Sequence, residues 1–94
     1  MPCYVDPLFV WPARNARVHR VGARHGHQWC HLWADTLEEL HAMAKTVGMR
    51  PEWFQDKPGF PHYDLVPPRR EAALAAGAIE RDLREHLVNN PRNP

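Results

Sequence analysis

Apolar positions recur along this chain with two different periods, and the switches between them mark its elements. From residue 27 to 33, "HQWCHLW", the period is two. A strand there puts Trp29, His31 and Trp33 on one face and Cys30 and Leu32 on the other. Residues 3 to 6, "CYVD", make a shorter run closed by Pro7. Proline cannot donate to a ladder, so this strand is expected to end at Asp6. Residues 62 to 65, "HYDL", read as a third strand, with His62 and Asp64 on one face and Tyr63 and Leu65 on the other. Pro58, Gly59 and Pro61 stiffen its approach, and Pro67 and Pro68 end it.

Between these runs the period becomes helical. Leu37, Leu40, Ala44 and Val47 form one apolar stripe, with His41 on its margin. Asp35 with Glu38, or Thr36 with Glu39, has the spacing of a capping box, and Gly48 suits the left-handed C-cap. Pro51 opens a short helical turn through Phe54. "RREAALAA" reads as a helix ended by Gly77, "AIE" as a last short strand and "DLREHLV" as a final helix. Pro7, Pro12, Gly22 and Gly26 make residues 7 to 26 an irregular connection.

This order predicts an α/β fold: a small single layer of short, mostly parallel strands with two to three flanking helices, joined by right-handed crossovers. The direction of the first strand stays open. One domain is expected over residues 1–88, with an irregular basic loop at 12–27 and a frayed tail at 89–94; no internal repeat is present.

Composition narrows the function classes. Lys plus Arg number 12 against 11 Asp plus Glu in 94 residues, so the strong basic excess of a dedicated nucleic-acid binder is absent. The charge is uneven, however: Arg14, Arg17, Arg20 and Arg24 with His19, His25 and His27 lie between Pro12 and Gln28 without one acid. That stretch reads as a solvated basic loop or as an arm that contacts phosphates, which keeps nucleic acid open as a weakly supported partner. Cys3 and Cys30 form no C-x-x-C pair, so neither a disulfide framework nor a cysteine-rich zinc site is indicated, and a reduced cytoplasmic setting is expected. No run approaches the roughly 20 apolar residues of a membrane span. A chain this short buries only about 60–65% of its unfolded surface, which leaves room for a homo-oligomer.

Asp6, Asp35 and Asp64 each fall at or just past the C-terminal end of an expected strand, where ligands collect in open α/β sheets. Three carboxylates there suit Mg²⁺ or Mn²⁺. His31, His41 and His62 add acid-base groups or nitrogen ligands. Each has a plainer role available: Asp35 as an N-cap, Asp6 before Pro7 as a turn former, and His41 as a satisfied core histidine. His62 and Asp64 are harder to dismiss, because two polar side chains on one face of a short strand need water, a partner or a ligand. His25, His27, Cys30 and His31 are close in sequence, but strand alternation sends Cys30 away and no second cluster follows at zinc-finger spacing. Trp11, Trp29, Trp33 and Trp53 suit a stacking platform or, more simply, a core. No P-loop, G-x-G-x-x-G, H-E-x-x-H or G-x-S-x-G is present.

"YVDP", Trp11-Pro12, "CHLWADTLEELHAMAKTVGM", "WFQ", "HYDL" and "REH" together resemble the small bacterial and phage proteins grouped as domain-of-unknown-function family 4031. The likeness runs from Tyr4 to about Leu87 and is most specific in "HLWADTLEELHA" and "HYD". It implies no particular activity. Its pattern takes in Asp6, His31, Asp35, Glu39, His41, His62, Tyr63, Asp64, an arginine at Arg69 or Arg70, and Arg84. The resemblance also implies that other members can carry Ser where Cys30 stands, so that no essential thiol is expected, and the basic stretch 13–27 is longer in this chain than in the family's pattern.

Three functions follow as expectations. The first is a binding module for a small phosphorylated or nucleotide-like ligand, lined by His31, His41, His62, Tyr63, Asp64, Arg69, Arg70 and Arg84. The second is a hydrolase or nuclease whose metal sits on Asp6, Asp35 and Asp64. The third is a structural or interaction protein whose polar cluster is a buried network. The geometric expectation behind the first two is that His62 and Asp64 face one crevice with His31, Asp35 and His41, at least three of them within about 8 Å of one another.

Overall fold

A computed structural model describes residues 2–11 and 16–85, the side chains of 16–19 excepted. Arg14, the tail expected to fray at 89–94 and residues 86–88 of the expected final helix lie outside the described residues.

The seven-residue apolar run becomes the central strand. In chain order the elements are β1 (Cys3–Val5), β2 (Phe9–Val10), α1 (Ala16–Ala23), β3 (Gln28–Ala34), α2 (Leu37–Thr46), a 3₁₀ turn (Pro51–Trp53), β4 (Gln55–Lys57), β5 (Phe60–Leu65), α3 (Pro67–Ala75) and β6 (Ile79–Glu80). The sheet order is β4-β5-β3-β1-β6, with β2 also on β3. Alternation along β3 works as the sequence implies. Cys30, Leu32 and Ala34 join Cys3, Val5, Tyr63 and Leu65 against Leu40, Ala44 and Val47 of the α2 segment and Ala73 of α3. Trp29, His31 and Trp33 take the other face. Leu37, expected in the buried stripe, is about half exposed, so the stripe starts at Leu40.

The expectation of mostly parallel strands is wrong. β1, β2 and β5 all pair antiparallel with β3, and β4 pairs antiparallel with β5. Among the described residues only β1 and β6 are parallel neighbours. The cause is one unanticipated strand. After β3 the chain crosses over through α2 and returns as β4, which runs parallel to β3 as a helical crossover should. Lys57-Pro58-Gly59-Phe60 then reverses it in a two-residue turn, with Lys57 opposite Phe60 and Gly59 at φ +80°. That positive φ, with Pro before it, is the type II turn preference. β5 therefore enters between β4 and β3 in the opposite direction.

The stretch expected to be irregular holds β2 and α1. β1 and β2 lie along the same edge of β3, but Val5 pairs with Leu32 and Phe9 with Trp29, so Asp6, Pro7 and Leu8 span opposite only Cys30 and His31. One extra residue makes a bulge, the device that re-aims a side chain beside a strand. Helix ends follow the sequence closely. Thr36 Oγ1 accepts the Glu39 N–H at 3.2 Å and donates to Glu39 Oε1 at 2.8 Å, so the second of the two capping pairs is used. Gly48 at φ +82° lets Met49 N–H reach Ala44 C=O at 2.8 Å, a Schellman closure repeated where Ala78 N–H reaches Ala73 C=O at 2.9 Å. No helix among the described residues is long and apolar enough to cross a membrane.

Candidate metal centre

Register brings the polar residues together. His31 stands directly opposite Asp64 across the β3–β5 ladder, and His62 lies two residues before Asp64 on the same face. One ligand-capable atom from each of His31, His62 and Asp64 falls within 4.8 Å of the others. His62 Nε2 and Asp64 Oδ1 are 3.4 Å apart, which matches the roughly 3.4 Å between two ligands on a tetrahedral ion with 2.0–2.1 Å bonds. His62 is 3% exposed, while His31 and Asp64 are half-buried, so the group opens to one side.

Both imidazoles have one nitrogen already committed. The bulge aims the buried Asp6 at His31: Oδ1 accepts the His31 backbone N–H at 2.6 Å, and Oδ2 accepts Nδ1–H at 2.8 Å. His62 Nδ1 lies 2.9 Å from the Phe60 carbonyl, which can only accept, so Nδ1 carries the proton. In each ring Nε2 is left as the nitrogen available to the group. Aromatic rings then hold the imidazoles in place. Phe9 stacks on His31 at 5.1 Å between ring centres and Phe60 on His62 at 4.5 Å, while Phe60 also meets His31 edge-on at 5.5 Å. Gln55 donates its side-chain N–H to Asp64 Oδ2. A carboxylate or carbonyl behind each histidine, and an amide behind the carboxylate, is the outer arrangement that orients metal ligands.

The remaining expected site residues are elsewhere. Asp35, exposed just beyond β3, accepts from Tyr4 Oη at 3.3 Å, about 13 Å of extended chain from His31. Asp6, Asp35 and Asp64 therefore do not converge as a carboxylate trio, and Asp6 serves His31 instead. His41 lies on the helix-covered side of the sheet, where its Nδ1 meets Tyr63 Oη at 2.8 Å. Burial keeps the Tyr63 hydroxyl above its ordinary pKa, so it remains protonated for that contact. Arg69 donates to the Val47 carbonyl at 2.6 Å, and Arg70 donates to the Asp6 carbonyl at 2.9 Å and to Glu80 at 2.6 Å. Arg84 is exposed. The five-residue crevice is thus reduced to His31, His62 and Asp64, three of the five expected.

The sequence pattern does not single out Gln55, Phe9 or Phe60. The signal for Gln55 is the Pro-Gly pair between two short segments, a hairpin cue that pairs Gln55 with His62.

Cys30, next to His31 in sequence, faces the core with no measurable exposure. Burial first, and then the Asp6 charge, push its thiol up to about 12. At pH 8 the native protein is expected to leave Cys30 unmodified by a thiol reagent over the time in which urea-unfolded protein reacts fully. Fast labelling of the native form would contradict this burial.

No curated protein and no solved structure matches the chain. A family model described as "Protein of unknown function (DUF4031)" matches residues 3–92, a span that includes every residue of the centre, and the chain belongs to that family.

Proposed function

We propose that His31, His62 and Asp64 bind a divalent transition-metal ion and that this centre hydrolyses a small substrate. The observation that carries the reading is the convergence of three ligand atoms within 4.8 Å while the second nitrogen of each imidazole is held by an acceptor. With Nδ1 of His62 protonated, a neutral ring turns an unprotonated Nε2 toward a carboxylate oxygen 3.4 Å away. Two acceptors facing each other repel, and a positive species between them, a metal ion or a proton on Nε2, removes the conflict.

Two imidazoles and one carboxylate suit Zn²⁺, Fe²⁺ or Mn²⁺ better than Mg²⁺, which favours oxygen ligands and retains its waters. Three protein ligands leave coordination positions open, as in catalytic rather than structural zinc sites. Zn²⁺ held there would supply a water acidified to a pKa of about 7. Asp6 keeps His31 in the tautomer that offers Nε2, and Gln55 fixes the Asp64 carboxylate.

The test is titration of chelator-stripped protein with Zn²⁺, Co²⁺, Mn²⁺ and Mg²⁺ by calorimetry, with the visible spectrum of Co²⁺ reporting coordination. Micromolar or tighter binding at one ion per chain is expected, weakened at least about 100-fold in Asp64→Asn and His31→Gln. Absence of binding by wild-type protein would leave the cluster a buried polar network, closed by a proton. Metal binding without metal-dependent cleavage of a chromogenic ester or phosphodiester would remove the hydrolytic half of the reading.

A further inference from the structure

β4 ends its pairing at Gln55 opposite His62, so among the described residues β5 from Asp64 onward has no strand beside it on that edge. A cleft of about 840 Å³ fills this gap, within the size range of small-molecule sites. Asp64 is one of its wall residues, so the cleft and the candidate metal centre share a residue. The other walls combine aromatic surface from Trp29, Trp53 and Phe54 with the cations Arg24 and Arg69. Trp53 is 37% exposed, and the guanidinium of Arg69 stands 5.9 Å from its ring.

We infer that this cleft binds a mononucleotide, with the base against Trp53 and Phe54 and the phosphate directed by Arg24 and Arg69 toward Asp64. Flat aromatic walls favour a π-faced ligand, since every base has a face that stacks on an aromatic ring. Two guanidiniums add charge-assisted donors that match phosphate oxygens in geometry and sign. Arg69 uses one nitrogen on the Val47 carbonyl, which fixes the side chain and leaves its other N–H groups for a ligand. Glu52 and Asp64 are the cleft's acids. A divalent ion on Asp64 would turn the balance at that end positive and complete the phosphate site. The phosphate end thus rests on the metal reading, while the base end does not.

The experiment measures binding of AMP, GMP, CMP and UMP by calorimetry and by tryptophan fluorescence, with Mn²⁺ and with EDTA, against adenosine and ribose 5-phosphate as controls. Wild-type protein with Mn²⁺ is expected to bind at least one mononucleotide more than tenfold tighter than either control. Trp53→Ala and Arg24→Ala, both at exposed positions, are expected to weaken it at least tenfold with unchanged circular dichroism. In Asp64→Asn the Mn²⁺ dependence is expected to vanish while weaker binding persists through the aromatic wall. That last outcome sustains the cleft even where the metal reading fails. Metal binding with no mononucleotide bound at millimolar concentration overturns the inference. So does binding that Trp53→Ala and Arg24→Ala leave unchanged, or a single-stranded trinucleotide bound more than tenfold tighter than any mononucleotide.

Discussion

Leu32→Ala is expected to lower the unfolding free energy by about 3–5 kcal/mol. Leu32 has no measurable exposure, and on the core face of the central strand it sits between Val5 of β1 and Tyr63 of β5. Truncation there removes the burial of the side chain and leaves a cavity whose walls belong to three strands and cannot all close in. A 94-residue domain has roughly 5–14 kcal/mol of stability at the usual 0.05–0.15 kcal/mol per residue, so the loss takes about a fifth of the total or more. Urea unfolding followed by circular dichroism measures it as a lower midpoint at unchanged slope. A loss below about 1 kcal/mol would mean that β3 and β5 do not pair in this register. The same register sets His31 opposite Asp64, so this core substitution tests the frame on which the candidate centre rests.

How much of that frame is legible in the sequence depends on the range of the interaction. Alternation is local, and it assigns Cys30 and Leu32, Tyr63 and Leu65, and His62 with Asp64 to their correct faces. Caps are local too, and Thr36, Gly48 and Gly77 act at the helix ends as their types suggest. Strand direction is not local. Gln55, Asp56 and Lys57 carry no apolar side chain, because β4 is an edge strand with little to bury, so nothing in their pattern announces the hairpin that reverses β5. α1 is hidden similarly: Arg17, His19 and Arg20 interrupt its Ala and Val positions, and it approaches the sheet at Gly22, where an added Cβ would stand 3.2 Å from Trp29 Nε1.

The site shows the same division. That His62 and Asp64 share a face can be read from two adjacent odd-even steps. That His31 completes the group requires the pairing of two strands more than thirty residues apart in sequence. Position along the chain groups His41 with them, because its helix follows directly from β3, but that helix covers the opposite face, where Tyr63 receives it. Asp6 resembles a ligand in sequence because it ends a strand. The bulge that follows it is what turns its carboxylate onto His31, and a bulge is visible only once both β1 and β2 are paired.

Asp6→Asn isolates that role. The side chain keeps its shape, and its remaining carbonyl oxygen still accepts the His31 backbone N–H now held at 2.6 Å, so the fold is expected to stay within about 1 kcal/mol of wild type. The other half of the amide is an NH₂ group facing His31 Nδ1, where the carboxylate accepted at 2.8 Å. A donor there asks Nδ1 to be the acceptor, and a neutral imidazole answers by moving its proton to Nε2. Nε2 is the nitrogen offered to the metal, so the substitution blocks a ligand it never touches. Metal affinity is expected to fall about 10–100-fold, the range for partners that hydrogen-bond to ligating histidines. Co²⁺ titration reads the affinity, and the ¹⁵N shifts of His31 in the metal-free protein read the tautomer directly. Unchanged affinity with Nε2 still unprotonated would show that Asp6 only closes the bulge. A lower affinity together with a protonated Nε2 would establish that the bulge between β1 and β2 orients the centre, since the lost charge of Asp6 would lower affinity without moving the proton.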